Sequence, residues 1–570
     1  MFTRAGLRLG PSLLCVAAGA TAYHLTASDY HLTAAAQCEM PTAPSPPPVP
    51  PTAVTITKLR RCLEQRGADI AAIDIRASEK DKGRFGVFAG AGVRHKAARS
   101  WWGSLKAGLG FGENPNVALA SFPLSSAVTA GNVLGQGGQQ AALLKELVEL
   151  GVADERTVVM LHLIVERLKG PESKLCPWLV LLPKSFSTTL FFSEQELGWL
   201  KGTTLHTATR VRKQLLEAQW RRLEPACRQL ALAEGVEQAP TYQDFLWAYS
   251  TFWPREGGKV ETEEGIVPGL DFANHAEGSP ARWTVFGAAD RPSKATPTCV
   301  TLVCPRKQLP KQGEEITINY GNKGNEELLF LYGFAEQDNP NDVLMVRCPI
   351  SPPDEWDAKM QARMRLLMLR QLKPQIFLPA PFLRGQQQQQ QGSSSRRRRW
   401  WWPFGRRGST AGKAGTADSS AVHADLPQEV FETLELFVME PRQLQQELAR
   451  LEQGGTAKGV AAQQALDELS PVERSGLRMA VLTTLVRLLE YTVVQQEGDE
   501  GTGTLEADQA LLKAAGEGNK ELSVAERHAL HYRMGQKQLA RDYLVYARGL
   551  LEKEMRHLRA LMGPEDNATS

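Results

Sequence analysis

At 570 residues the chain is longer than one hydrophobic core organises, so at least two domains with tails are expected. Its 66 basic and 63 acidic residues leave a net charge of +3, which excludes a chain-wide binder of polyanions; basic charge is local, as in the four arginines at 396–399. The eight cysteines contain no C-x-x-C pair, and the nearest two, Cys299 and Cys304, do not fit a common zinc spacing. No metal centre is expected, and the cysteines read as reduced core residues of an intracellular compartment.

Residues 1–51 read as a targeting peptide and linker. Arg4 and Arg8 are present, no acid precedes Asp29, and Leu, Ala, Ser and Thr fill much of the rest, the composition of an organelle transit peptide. The expected location is an organelle, chloroplast or mitochondrion; the alternatives are a cytosolic protein, or one anchored to a membrane by this segment. The apolar run 13–22 is too short for a stable membrane span, so no stable insertion is expected. The Pro-rich stretch 41–51 reads as an extended spacer.

The first large unit, 52–340, reads as a strand-rich body with a helical insertion at about 139–250. It opens with an amphipathic helix carrying Leu59 and Leu63, then strands up to Ala89. Residues 94–116 read as an inserted loop and 117–123 as a strand. Two helices follow over 139–168, then a buried apolar segment at 177–186, then helices at 194–217 and 242–249. Strands return at 265–270, 283–286, 299–304 and 316–319. From 341 to 565, and above all after Pro352, the pattern is nearly all helix, with Leu477, Val481, Leu485 and Leu488 at helical spacing and a long periodic run over 524–562. The fold class is therefore α+β, with an all-α C-terminal region. The stretch 385–416, with glutamine and serine runs, arginines and Trp400–Trp402, builds no core and reads as a disordered loop. Arginine and tryptophan together also suit nucleic acid, but no folded nucleic-acid motif sits beside them, so no nucleic-acid partner is expected.

Three segments carry chemistry. GRFGVFA (83–89) places small residues at Gly83 and Gly86, where a turn approaches a ligand closely. IVPGLDFANH (266–275) ends in Asn274 and His275, two directed hydrogen-bonding groups. GEEITINYG (313–321) delivers Tyr320, and ELLFLYGF (327–334) leads to Tyr332 and Phe334. Alone, the first is equally a strand turn, the second a capped strand end, and Tyr320 a core tyrosine.

In combination and order these segments resemble the SET-domain protein methyltransferases. PWLVLLPKSFSTTLFFSEQELGWLKGTTL (177–205) and YQDFLWAYSTFWPRE (242–256) narrow the resemblance to the Rubisco large-subunit and aldolase lysine methyltransferase group, whose SET domain is followed by a helical substrate-binding domain. The match covers roughly 55–340, and the helical region more loosely. Two departures stand out. The family's first motif carries Gly-Arg-Gly or Gly-Leu-Gly, whereas Phe85 here lies between Arg84 and Gly86. The helix motif usually ends Ser-Arg-x-Phe, whereas Pro254 here precedes Arg255.

The resemblance implies methyl transfer from S-adenosyl-L-methionine to a lysine of a non-histone protein, with Rubisco large subunit or aldolase as candidates. It implies Tyr320 as catalytic residue and cofactor contact, and Tyr332 in the substrate channel. The backbone at Arg84, Phe85 and Gly86 would receive the cofactor, Asn274 and His275 would hold it, Arg255 would pair with its carboxylate, and Phe334 would pack on it. Asp271 reads as structural. The implied partner is a protein substrate docked on the C-terminal helices of a monomer. Two alternatives stand beside this: a protein-histidine methyltransferase, and an inactive SET-like binding module.

Overall fold

The computed structural model describes residues 53–78, 84–94, 96, 116–255, 259–260, 263–286, 298–383, 425–452 and 469–562. The targeting segment 1–51, most of the loop at 94–116 and the loop at 385–416 lie outside the described residues. Among the described residues, no helix is long and apolar enough to cross a membrane.

Helix α1 (Ala53–Gln65) puts Leu59 and Leu63 one turn apart, and both are buried. Strand β1 (Ile73–Ala77) pairs antiparallel with β2 (Phe85–Ala89), Ile75 opposite Val87, and every residue of β2 is buried. Strand β3 (Asn116–Pro123) and the short β4 (Val128–Thr129) lead into α2 (Gly138–Glu149) and α3 (Glu155–Leu168). Asp154 caps α3 by accepting from the Thr157 backbone N–H at 2.8 Å. A surface helix buries one stripe, but α3 buries Val158, Val159, Leu161, Leu163, Ile164 and Val165, so it lies inside the helical insertion. Helix α4 (Thr204–Ala233) and helix α5 (Tyr242–Arg255) pack around it. Its polar members find partners: His162 Nδ1 lies 3.1 Å from Gln140 Oε1, and Glu166 accepts from Lys169 and Ser173.

The remaining strands of this unit are β5 (Lys259–Val260), β6 (Glu263–Ile266), β7 (Arg282–Phe286) and β8 (Cys299–Pro305). They form two small antiparallel sheets, ordered β3-β8-β7 and β4-β6-β5. Two strands read from the sequence are corrected. The strand expected at 265–270 stops at Ile266, because Pro268 has no ladder donor and Gly269 turns at φ +97° into a single helical turn, Leu270–Phe272. The strand expected at 316–319 is not a strand but a crossing. Its alternation is real, since Ile316 and Ile318 are buried, but its partner changes midway. Ile316 N–H donates to Val87 O of β2 at 2.7 Å, while Ile318 N–H donates to Asn274 O at 2.9 Å, so no ladder grows.

The C-terminal region is corrected in the same way, for it is not all helix. Strand β9 (Val343–Arg347) pairs with β10 (Gln375–Pro379) around helix α6 (Ala358–Leu369). Leu344, Val346, Ile376 and Leu378 face inward at strand period. Helices α7 (Gln428–Val438), α8 (Pro441–Glu452), α9 (Pro471–Glu497), α10 (Leu505–Gly516) and α11 (Val524–Met562) follow. Ser470 and Glu473 cap α9 reciprocally. Its inward stripe is Val481, Leu482, Leu485, Val486 and Leu489, with Leu477 and Leu488 at the margin.

Helix α11 is 39 residues long, which at 1.5 Å per residue is about 58 Å. Ala529 and Tyr532 enter the first core, while Ala540, Tyr543 and Ala547 belong to the second. Between them, Asp508 of α10 accepts from Arg533 Nε at 3.0 Å and from the fully buried Lys537 Nζ at 2.6 Å. Tyr532 and Thr204 both donate to the half-buried Glu326, whose carboxyl is pushed up by desolvation. Cys227 and Cys348 are buried thiols, each raised to about 12 by desolvation.

Candidate active site

The crossing segment 314–320 brings the three chemistry-bearing stretches together. At one end it is hydrogen-bonded to Ala89 and Val87; at the other it lies beside 274–276, with Ala276 N–H donating to Ile318 O at 3.2 Å. Tyr320, Asn274 and β2 are thus neighbours because one short strand-like segment touches both of the others.

Tyr320 is fixed at three points. Its hydroxyl donates to Ala273 O at 2.8 Å, and its backbone N–H donates to His275 Nδ1 at 3.1 Å. Its ring stacks on Tyr332, centroids 4.8 Å apart and planes at 29°. With the phenolic proton given to Ala273, the remaining capacity of the oxygen is to accept. Because a backbone amide always donates, His275 Nδ1 is an acceptor and the proton of the neutral ring sits on Nε2. That nitrogen lies 3.6 Å from Glu336 Oε1. Desolvation lowers the His275 pKa below its ordinary value, opposed by the Glu336 charge, so the ring is held neutral.

Tyr332 ends a π-helical turn, Leu328–Tyr332, and Gly333 follows in the left-handed region at φ +79°. A side chain at Gly333 would meet backbone: its Cβ would lie 2.8 Å from Ser187 C and Thr188 N. The Tyr-Gly-Phe sequence is therefore a sharp reversal that places Tyr332 and Phe334 around His275 and Tyr320. Phe334 lies 5.8 Å from the His275 ring and 6.4 Å from Tyr332. Just beyond, Ala335 N–H donates to His528 Nδ1 of α11 at 3.1 Å.

Asn274 Nδ2 donates to Phe85 O at 3.2 Å and to Glu315 Oε1 at 2.7 Å. These contacts explain Gly86. Its backbone is unstrained, but a Cβ there would come within 2.5 Å of Glu315 Oε1 and 3.2 Å of Asn274 Nδ2. The sequence suggested that a ligand approaches this glycine; within the chain, the close approach is made by Glu315 and Asn274. Arg84 O accepts from Ser78 N–H at 2.9 Å, and Arg84 Nη2 lies 3.5 Å from Tyr332 O.

These groups line one pocket of about 350 Å³, which includes Arg84, Phe85, Asn274, His275, Tyr320, Tyr332 and Phe334. Gly86 lies against its wall. Arg255 closes α5, and its side chain lies outside the described residues. Asp271, read as structural, accepts from Trp178 Nε1 at 3.1 Å and from Gly269 N–H at 2.8 Å, which ties the turn before Asn274 to the helical insertion. Sequence reasoning passed over Glu315, Phe186, Glu336 and His528, which also line the pocket. Glu315 stood inside a motif already singled out, and its position between Gly86 and Tyr320 was the available signal. His528 lies 193 residues from its partner Ala335 and left no local signal.

No family model matches the chain. Among curated proteins, it is 28% identical over 196 residues to a ribosomal lysine N-methyltransferase of Schizosaccharomyces pombe, covering 33% of either protein. It is 26% identical over 246 residues to an actin-histidine N-methyltransferase of Drosophila melanogaster, covering 38% of this chain and 43% of that protein. The chain thus matches less than half the length of these relatives. Among solved structures, the SET domain of LSMT bound to lysine and AdoHcy superposes with a TM-score of 0.60 at 16% identity, covering 90% of this chain and 94% of the other. Rubisco LSMT bound to AdoMet gives 0.57 at 16%, covering 89% and 93%. The chain therefore has the fold of the LSMT SET-domain structures.

Proposed function

We propose that this chain is a protein methyltransferase that uses S-adenosyl-L-methionine to methylate a side-chain nitrogen of a protein, with the lysine ε-amine as acceptor. The observation that carries the reading is the arrangement at Tyr320: a phenol stacked on Tyr332 and pinned to the carbonyl of Ala273, the residue just before the Asn274–His275 pair.

The pocket fits the cofactor. Its volume lies within the range of small-molecule sites, and it combines aromatic walls with a few convergent polar groups. Asn274, His275, Phe334 and the backbone of Arg84, Phe85 and Gly86 are the residues that would hold it, with Arg255 at its carboxylate. Phe85 O accepts from Asn274 Nδ2, and a carbonyl oxygen has two lone pairs to offer. When bound, S-adenosyl-L-methionine supplies an electrophilic methyl group on a sulfonium.

The chain's own residues do the rest. Tyr332 and Phe186 are aromatic walls of the pocket, and apolar walls disfavour a charged ammonium and lower the pKa of an acceptor amine. The Tyr320 oxygen, its proton already committed, orients the amine by accepting from it. Neutral His275 holds the Tyr320 backbone, so the phenol does not drift.

A histidine acceptor is the second reading, favoured by the similarity to the actin-histidine enzymes. An organelle is the proposed location, supported by the composition of 1–51. The test is to incubate the full chain and Tyr320→Phe with labelled S-adenosyl-L-methionine and organelle extracts. Label on one protein, absent with the variant, is expected, and mass spectrometry of that protein then reads lysine or histidine directly. Absence of both label and cofactor binding in calorimetry would leave a binding module as the better account.

A further inference from the structure

Glu315 is a carboxylate that the acceptor chemistry does not use. It lines the pocket, with Oε1 accepting from Asn274 Nδ2 at 2.7 Å and Oε2 reached, among the described residues, by a long 3.5 Å contact from Ser78 Oγ. Among the described residues no cationic side chain pairs with it, although the structure pairs other half-buried carboxylates, such as Glu264 with Arg156 and Glu327 with Lys323. A partly buried carboxylate with one good neutral donor favours a positive partner.

We infer that Glu315 is the anchor for the α-ammonium group of the cofactor's amino-acid tail, an inference that rests on the S-adenosyl-L-methionine reading above. The cofactor carries two positive centres, the ammonium and the sulfonium, and three observations select the first. Two acceptors converge at one amide, because Asn274 Nδ2 holds both Phe85 O and Glu315 Oε1. An ammonium, with three donors, matches such a cluster, whereas a sulfonium has no N–H or O–H to donate. Next, Glu315 bridges to Phe88 at the β2 end of the crossing segment, whereas Tyr320 lies at the other end, five residues on. Finally, the sulfonium loses its charge as the methyl leaves, so a carboxylate beside it would stabilise the ground state more than the transition state. The ammonium keeps its charge throughout, and an anion there leaves the chemical step untouched. Gly86 is part of the same device: only a residue without a side chain leaves room for the carboxylate against β2.

The test is calorimetry on the full chain and on Glu315→Gln, with S-adenosyl-L-methionine, S-adenosyl-L-homocysteine and the des-amino analogue of the latter. Loss of one charge-assisted hydrogen bond is worth about tenfold in affinity. The expected result is a loss of about that size for the first two ligands and none for the des-amino compound. Glu315→Asp, which keeps the charge, is expected to recover part of the loss, and melting curves of both variants report folding. A loss confined to S-adenosyl-L-methionine would move the carboxylate to the sulfonium and overturn the assignment. Equal losses for all three ligands would make Glu315 a structural support and overturn it as well. Failure of the unaltered chain to bind any of the three would instead remove the cofactor reading on which the assignment rests.

Discussion

The reversal at Gly333 offers the sharpest test of how the site is built. Replacing Gly333 with alanine asks an L-residue to adopt φ +79°, which costs about 1–2 kcal/mol. It also drives a Cβ to 2.8 Å from Ser187 C and Thr188 N, both backbone atoms that cannot swing aside. Relieving such overpacking adds about 1–3 kcal/mol, for a total of about 2–5 kcal/mol. Gly235, just past the end of α4, provides the control: its φ is +73°, and nothing lies within 4 Å of where its Cβ would be. Gly235→Ala therefore isolates the backbone strain, and the excess in Gly333→Ala measures the collision. Chemical denaturation of the two full-length variants reads that difference. Calorimetry with S-adenosyl-L-homocysteine reads the second consequence, weaker binding in Gly333→Ala alone, because Tyr332 and Phe334 flank the displaced residue. Equal destabilisation of the two variants, with binding unchanged, would refute the claim that Gly333 fixes the aromatic wall.

Other outcomes follow from the same geometry. Gly86→Ala meets side chains rather than backbone, Glu315 Oε1 at 2.5 Å, the Phe88 ring at 3.1 Å and Asn274 Nδ2 at 3.2 Å, so it should lower the melting temperature less than Gly333→Ala does, while cofactor affinity falls with the displacement of Glu315. Tyr320→Phe leaves one carbonyl acceptor without its donor, a loss of about 1 kcal/mol in stability, but should abolish labelling in the methyl-transfer assay. Asp508→Asn leaves Arg533 and Lys537 without their shared carboxylate, and removing one partner of a buried ion pair costs about 3–5 kcal/mol, readable by urea denaturation. Burial lowers the His162 pKa to about 4, against 6.5 when unfolded. The unfolded chain then binds the extra proton first, so stability falls on acidification through that window by up to about 1.4 kcal/mol per pH unit. A His162→Gln variant should flatten the dependence of melting temperature on pH between 6.5 and 4.

The sequence was most legible where one kind of regularity held over a long stretch. The 524–562 run gives the exact span of α11, and the leucines of α1 are buried as their spacing implies. Legibility failed where neighbouring forces compete. Ile316 and Ile318 alternate like a strand because both are buried, yet the ladder is refused because their hydrogen-bond partners sit on different segments. Strands β9 and β10 were hidden by their brevity between helices, although VLMVR and QIFLP alternate correctly. The aromatic cluster of Tyr320, Tyr332 and Phe334 was readable because three motifs kept their order. The roles of Gly86 and Glu315 were not, because each exists only as the complement of the other across the chain.

The long helix also changes what a boundary in this chain means. Within about five turns of one continuous rod, His528 touches the pocket margin, Tyr532 plugs the first core, and Ala547 sits in the second. A truncation near residue 340 would therefore not release a finished catalytic unit. It would remove His528 from the pocket lining and leave Glu326 without the Tyr532 hydroxyl. Conversely, any protein that settles on the C-terminal helices and tilts α11 moves the residue that props Ala335, and with it the loop that carries Phe334. Under the proposed function, docking on these helices would reach the cofactor pocket through a single lever.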